Sequence, residues 1–74
     1  MTLDLLENGQ MAKILNFNVT ERLLERFFSL GLSKFKTIKK IESSLGSSTI
    51  LIECNRMFLM LRYDEAKSIE VERI

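Results

Sequence analysis

From Leu23 to Lys40 the chain reads LLERFFSLGLSKFKTIKK, and its apolar spacing changes at Gly31. Leu23, Leu24, Phe27 and Phe28 recur at helical intervals, with Glu21, Arg22, Glu25 and Arg26 mostly off that stripe. The spacing predicts a helix that starts at Asn18 or Thr20, where Asn18-x-x-Glu21 has the form of a capping box. The helix should end at Gly31, because glycine enters the left-handed region without a Cβ penalty. Before it, Thr2 is placed to cap a short turn in which Leu3 and Leu6 face one way, closed by Asn8-Gly9. Gln10 to Phe17 then reads as a strand whose core face the pattern leaves open, since Ala12 and Ile14 share one side and Met11, Leu15 and Phe17 the other.

Beyond Gly31 the period shortens. Thr37 to Glu42 predicts a strand, and its imperfect alternation suggests a bulge. Ser43 to Ser48 (SSLGSS) reads as a flexible connector around Gly46. Thr49–Glu53 and Met57–Arg62 predict a hairpin turning through Cys54-Asn55-Arg56, where Asn55 tolerates positive φ. Tyr63–Lys67 allows one helical turn, with Asp64 and Glu65 at its start and Lys67 at its end. A last strand follows, Ile69 and Val71 alternating with Glu70 and Glu72. Gly9, Gly31, Gly46 and Asn55 are thus the expected turn residues.

Five short strands and one helix make a mainly β chain, with the helix inserted after the first strand and a helical turn before the last. A flat sheet of this size cannot bury both faces. The expectation is a small five-stranded barrel, with the helix over one opening and the apolar runs ILI and FLML as central strands.

With 74 residues, the whole of 1–74 is expected to be a single domain with one core. One cysteine cannot form an internal disulfide, and the absence of histidine removes the usual zinc ligand sets. The core must therefore carry the stability, and 46% hydrophobic residues suit that demand. Lys and Arg number 11 against 10 Asp and Glu, so no global electrostatic grip on nucleic acid is built in. The first ten residues lack the basic start of a signal peptide, and no apolar run approaches membrane-spanning length. The expected compartment is the cytoplasm.

Catalytic chemistry finds little to work with. Cys54 has no histidine to activate it, and the three glycines are isolated turn residues rather than a phosphate loop. Acids are scattered apart from Asp64-Glu65, which opens a helical turn, so no metal site, catalytic residue or cofactor is expected. Lys34, Lys36, Lys39 and Lys40 around Phe35 could touch nucleic acid, but a single interleaved aromatic is thin for that signature. The plainer reading has these lysines following a helix C-terminus and solubilising an edge strand. The surface best suited to a partner is the corner Leu30, Gly31, Leu32, Lys34, Phe35 and Lys36, an apolar knob rimmed by lysines.

The order of several short motifs resembles the FeoA family. These are Arg26–Leu32 (RFFSLGL), the Leu45-Gly46 connector, Leu59–Arg62 (LMLR), Glu65-Ala66 and the terminal IEVE of residues 69–72. Two positions depart from the family pattern. Lys34-Phe35 stands where the family usually has Pro-Gly, and Leu45-Gly46-Ser47-Ser48 where it has Leu-Gly-Asp-Pro. The resemblance implies an SH3-like barrel and a non-enzymatic role in bacterial ferrous-iron uptake, docking on the cytosolic G-protein region of the FeoB transporter. Through that partner the chain would associate with the inner membrane. Similar domains close DtxR-type repressors. The competing expectations are an SH3-like peptide-interaction module unrelated to iron and a weak nucleic-acid binder through Lys34–Lys40. Self-association through an uncovered edge strand is also expected to be possible.

Overall fold

The structure, a computed structural model, describes residues 1–44, 46 and 48–74; of the predicted connector, Leu45 and Ser47 lie outside the described residues. A 3-10 turn (Leu3–Leu5) leads into β1 (Met11–Phe17), α1 (Glu21–Ser29), β2 (Thr37–Ser43), β3 (Thr49–Cys54), β4 (Met57–Arg62), α2 (Tyr63–Lys67) and β5 (Ile69–Arg73). The five strands form one antiparallel sheet in the order β4-β3-β2-β1-β5.

The predicted barrel is not what forms. Closing a five-stranded sheet requires a fifth ladder between the two outer strands, and β4 and β5 share none among the described residues. The reason lies in the segment between them. Tyr63–Lys67 leaves β4 directly as a helix, so the chain reaches β5 through a helical turn instead of a hairpin. This turn and the 3-10 turn pack on each other and on the strands beside them, with Ala66 and Leu3 fully buried. Helical side chains fill the mouth of the curved sheet, and hydrogen bonds do not seal it.

Alternation decides the inner face. Ala12 and Ile14 of β1, Ile38 of β2, Ile50 and Ile52 of β3, and Ile69 and Val71 of β5 are all buried. Phe27 of α1, Leu32 and the pair Leu3 and Leu6 cover them. The open choice between the two faces of β1 is thereby resolved in favour of Ala12 and Ile14. The bulge in β2 lies between Lys40 and Glu42, and a second occurs in β1 between Ile14 and Asn16.

Two positional expectations fail with the barrel. β2, read as a possible edge, is the middle strand of the sheet. β4, read as central, is an edge strand, and Met57, Phe58 and Met60 are exposed. An apolar run does not by itself place a strand inside, because hydrophobic residues are also common on surfaces. The hairpin is also tighter than expected. Cys54 pairs with Met57, leaving a two-residue loop in which Asn55 (φ 55) and Arg56 (φ 63) are both left-handed, the type I′ geometry that matches strand twist.

Candidate partner-docking site

The corner between α1 and β2 is set by how the helix stops. Thr20 is the N-cap residue, and the expected Asn18 capping box does not form. At the other end the Leu32 N–H donates to the Phe27 carbonyl (3.0 Å), and the Gly31 N–H to the Phe28 carbonyl (3.0 Å). Paired bonds of this kind across a left-handed residue are a Schellman motif, and its usual apolar contact is present because Phe27 and Leu32 are both in the core. Gly31 sits at φ 90, and a Cβ there would meet only Asn55 Nδ2 at 3.7 Å. Gly31→Ala should therefore cost about 1 kcal/mol through backbone strain alone, read as a Tm loss of about 4–8 °C.

After Leu32 the chain is pinned to β1. The Phe35 N–H donates to the Ile14 carbonyl (2.7 Å), and the Ile14 N–H to the Lys36 carbonyl (2.9 Å). Between these bonds Phe35 is held at φ 71 with 69% of its surface exposed. A bulky residue in this region is strained by roughly 1–2 kcal/mol. Burial does not offset that strain. Glycine is the residue best suited to such a φ.

Just before Phe35 in the chain, Ser33 and Lys34 line a cleft of about 500 Å³ together with Asn16, Phe17, Leu24 and Phe28. The rings of Phe17 and Phe28 meet edge to face at 6.0 Å, while Phe28 keeps 52% of its surface exposed. The six residues singled out from the sequence thus divide. Lys34 and Phe35 are exposed, and Leu30, Gly31 and Lys36 are partly buried. Leu32 is core, at 1% exposure. The other expected turn residues, Gly9, Gly46 and Asn55, take φ of 85, 83 and 55, and Asn55 Nδ2 reaches the Gly31 carbonyl at 3.4 Å.

Phe17, Leu24 and Phe28, which line this cleft, were not among the residues singled out from the sequence. The signal was available. Leu24 and Phe28 are four apart and share a helix face, and Phe28 is turned about 100° from the buried Phe27.

The basic stretch is broken up by the sheet. Lys40 is buried, Lys36 and Lys39 are half-buried, and of the four only Lys34 is exposed, so the lysines do not form one open patch. Among the described residues no three of His, Cys, Asp and Glu converge as a metal-binding group would. Burial pushes the Cys54 thiol above its ordinary value, with the Lys36 charge acting weakly in the opposite sense. Such a thiol is held as the poorly nucleophilic neutral form. Asp64 and Glu65 open α2, where Glu65 pairs with Arg26 and accepts from the Arg62 N–H (2.9 Å). Glu65 ties α1, β4 and α2 together. No described helix is long and apolar enough to cross a membrane.

Relatives give this corner its context. The FeoA domain pattern matches residues 1–73. A Campylobacter jejuni protein, provisionally named Fe(2+) transport protein A, is 47% identical over 74 residues, covering all of both chains. The solution structure of FeoA from Chlorobium tepidum superposes with a TM-score of 0.93 at 27% identity, over the whole of this chain and 70% of that one. The iron(II) transport protein A of Clostridium thermocellum gives a TM-score of 0.95 at 27% identity, over the whole of this chain and 46% of that one. By sequence and by fold, the chain belongs to the FeoA family of non-catalytic accessory proteins of ferrous-iron transport.

Proposed function

We propose that this chain acts in the cytoplasm by docking the α1–β2 corner onto the cytosolic G-protein region of a FeoB-type ferrous-iron transporter. Phe35 is the anchor, and the adjoining cleft receives an apolar side chain of the partner. The supporting observation is Phe35 itself, an aromatic ring kept exposed on a left-handed backbone where glycine would be unstrained. Strain that the fold does not need is a mark of function. An exposed aromatic beside a concave apolar surface, with Lys34 at its rim, has the anatomy of an interface centre.

The test separates binding from folding. Phe35→Asp should weaken affinity for the purified transporter G region about tenfold or more, about 1.4 kcal/mol, with little change in Tm. Phe35→Gly should lose a similar amount of affinity while leaving Tm unchanged or a few degrees higher, since it relieves the backbone. Retained affinity in both variants would remove Phe35 from the interface. A large Tm loss in Phe35→Gly would show that the ring supports the fold instead.

A further inference from the structure

The two ends of the sheet are treated differently. At β5 the outer edge is occupied: the Val71 N–H donates to the Met1 carbonyl (2.8 Å), and Thr2 bridges Glu70. Its exposed positions also include the charged Glu72 and Arg73, which oppose further pairing. Among the described residues β4 has neither protection. It pairs with β3 over six consecutive positions without a bulge, and it carries no charge before Arg62. Met57, Phe58 and Met60 are 51%, 63% and 58% exposed.

The ladder shows which groups of β4 are open. The Tyr63 N–H donates to the Ser48 carbonyl (3.0 Å), one position beyond the Thr49–Arg62 pair. In an antiparallel ladder every second residue turns its N–H and C=O to the same neighbour. Leu61, Leu59 and Met57, in phase with Tyr63, therefore face β3, while Arg62, Met60 and Phe58 face outward. The Arg62 N–H is already taken by the Glu65 carboxylate (2.9 Å). Among the described residues, what remains is the N–H and C=O of Phe58 and of Met60, four groups on an unbulged apolar edge.

We propose that β4 pairs antiparallel with β4 of a second copy, about a two-fold axis at Leu59, joining two sheets into one of ten strands. The register follows from the open groups. Only a register that sets Phe58 opposite Met60 of the other copy pairs all four groups on each side while keeping inner and outer faces aligned. Both pairs then stack a ring against a thioether on the outer face, a favourable contact. The same register brings Arg56 and Arg62 opposite each other at the ends, and two short strands bury little surface. The dimer is therefore of the weak, transient class. None of Phe17, Leu24, Phe28 and Phe35 lies on this edge, so the pairing does not depend on the docking corner.

Sedimentation of the full chain from about 10 μM to about 1 mM should show a reversible monomer–dimer equilibrium. Over that range, exchange of the Phe58 and Met60 amides should slow as concentration rises. Met60→Lys, an exposed change on an edge, should keep its circular dichroism and raise the dissociation constant at least about tenfold. Opposed residues of a hydrogen-bonded pair lie about 5.5 Å apart between Cα atoms, within disulfide range. A mixture of Phe58→Cys and Met60→Cys proteins should therefore form the crossed disulfide faster than either forms with itself. A chain that stays monomeric throughout, with unprotected Phe58 and Met60 amides, would overturn the proposal. A Met60→Lys dimer as tight as the parent would do the same, as would equal rates for crossed and self disulfides.

Discussion

Phe27→Ala should abolish the folded state near physiological temperature. Phe27 is fully buried, and it is the largest side chain in that condition. It stands on α1 facing the sheet, 5.7 Å from the ring of Phe17, and its carbonyl accepts the Leu32 N–H that ends the helix. Removing a buried phenylalanine ring costs about 3–5 kcal/mol, because the lost transfer energy is joined by a cavity that neighbours fill only in part. A single core of this size supplies rarely more than about 3–5 kcal/mol in total. The loss therefore equals the whole margin. Circular dichroism should show a Tm lower by about 12–40 °C or no cooperative transition at all. Phe28→Ala is the control: its ring is half exposed, and its Tm should fall by about 5 °C or less. Comparable losses in the two variants would mean that α1 is rotated from the orientation described.

That pairing of neighbours shows what the sequence made legible. Helical spacing located α1, and Gly31 marked its end, because a local stop signal needs only local residues. Hairpin and bulge were readable for the same reason: an Asn at a turn and a break in alternation act within a few residues. Closure of the sheet was not readable. It depends on whether β4 and β5 meet across a gap that Tyr63–Lys67 and the 3-10 turn come to occupy, and no short-range pattern reports that. The apolar FLML run then misled, since an edge strand with exposed apolar side chains and a buried central strand look alike in composition. The proposed docking corner was expected through Phe35 and Lys34, but the cleft lined by Phe17, Leu24 and Phe28 was not, because Phe17 comes from β1, before α1.

Lys40 carries the second large expectation. Its parity was visible, since it lies two residues from Ile38 on one strand, and that spacing puts both on the core face. The structure has Lys40 at 6% exposure, opposite Ile52. Its ammonium donates to the Leu6 carbonyl (2.6 Å) and the Asp4 carbonyl (3.3 Å), in and just after the 3-10 turn. Its backbone grips the same segment, accepting from the Gly9 N–H (2.6 Å) and donating to the Gln10 carbonyl (3.0 Å). Two opposing effects meet in Lys40→Met, which preserves the stem and removes the charge. Relief from burying an ammonium favours the variant. Against it, hydrogen bonds from a charged donor are worth about 1.5–3 kcal/mol each, and a carbonyl left without a donor costs about 1–3 kcal/mol. Two carbonyls would lose their donor at once, so the balance falls against methionine by about 2 kcal/mol, or about 8–16 °C in Tm. The loss should be local in origin. Amides of Leu5 and Leu6, bonded to the Thr2 and Leu3 carbonyls, should exchange faster by a larger factor than amides of β3. An unchanged or higher Tm would mean that desolvation outweighs the two bonds, and that apolar packing of Leu3 and Leu6 alone holds the N-terminal turn against the sheet.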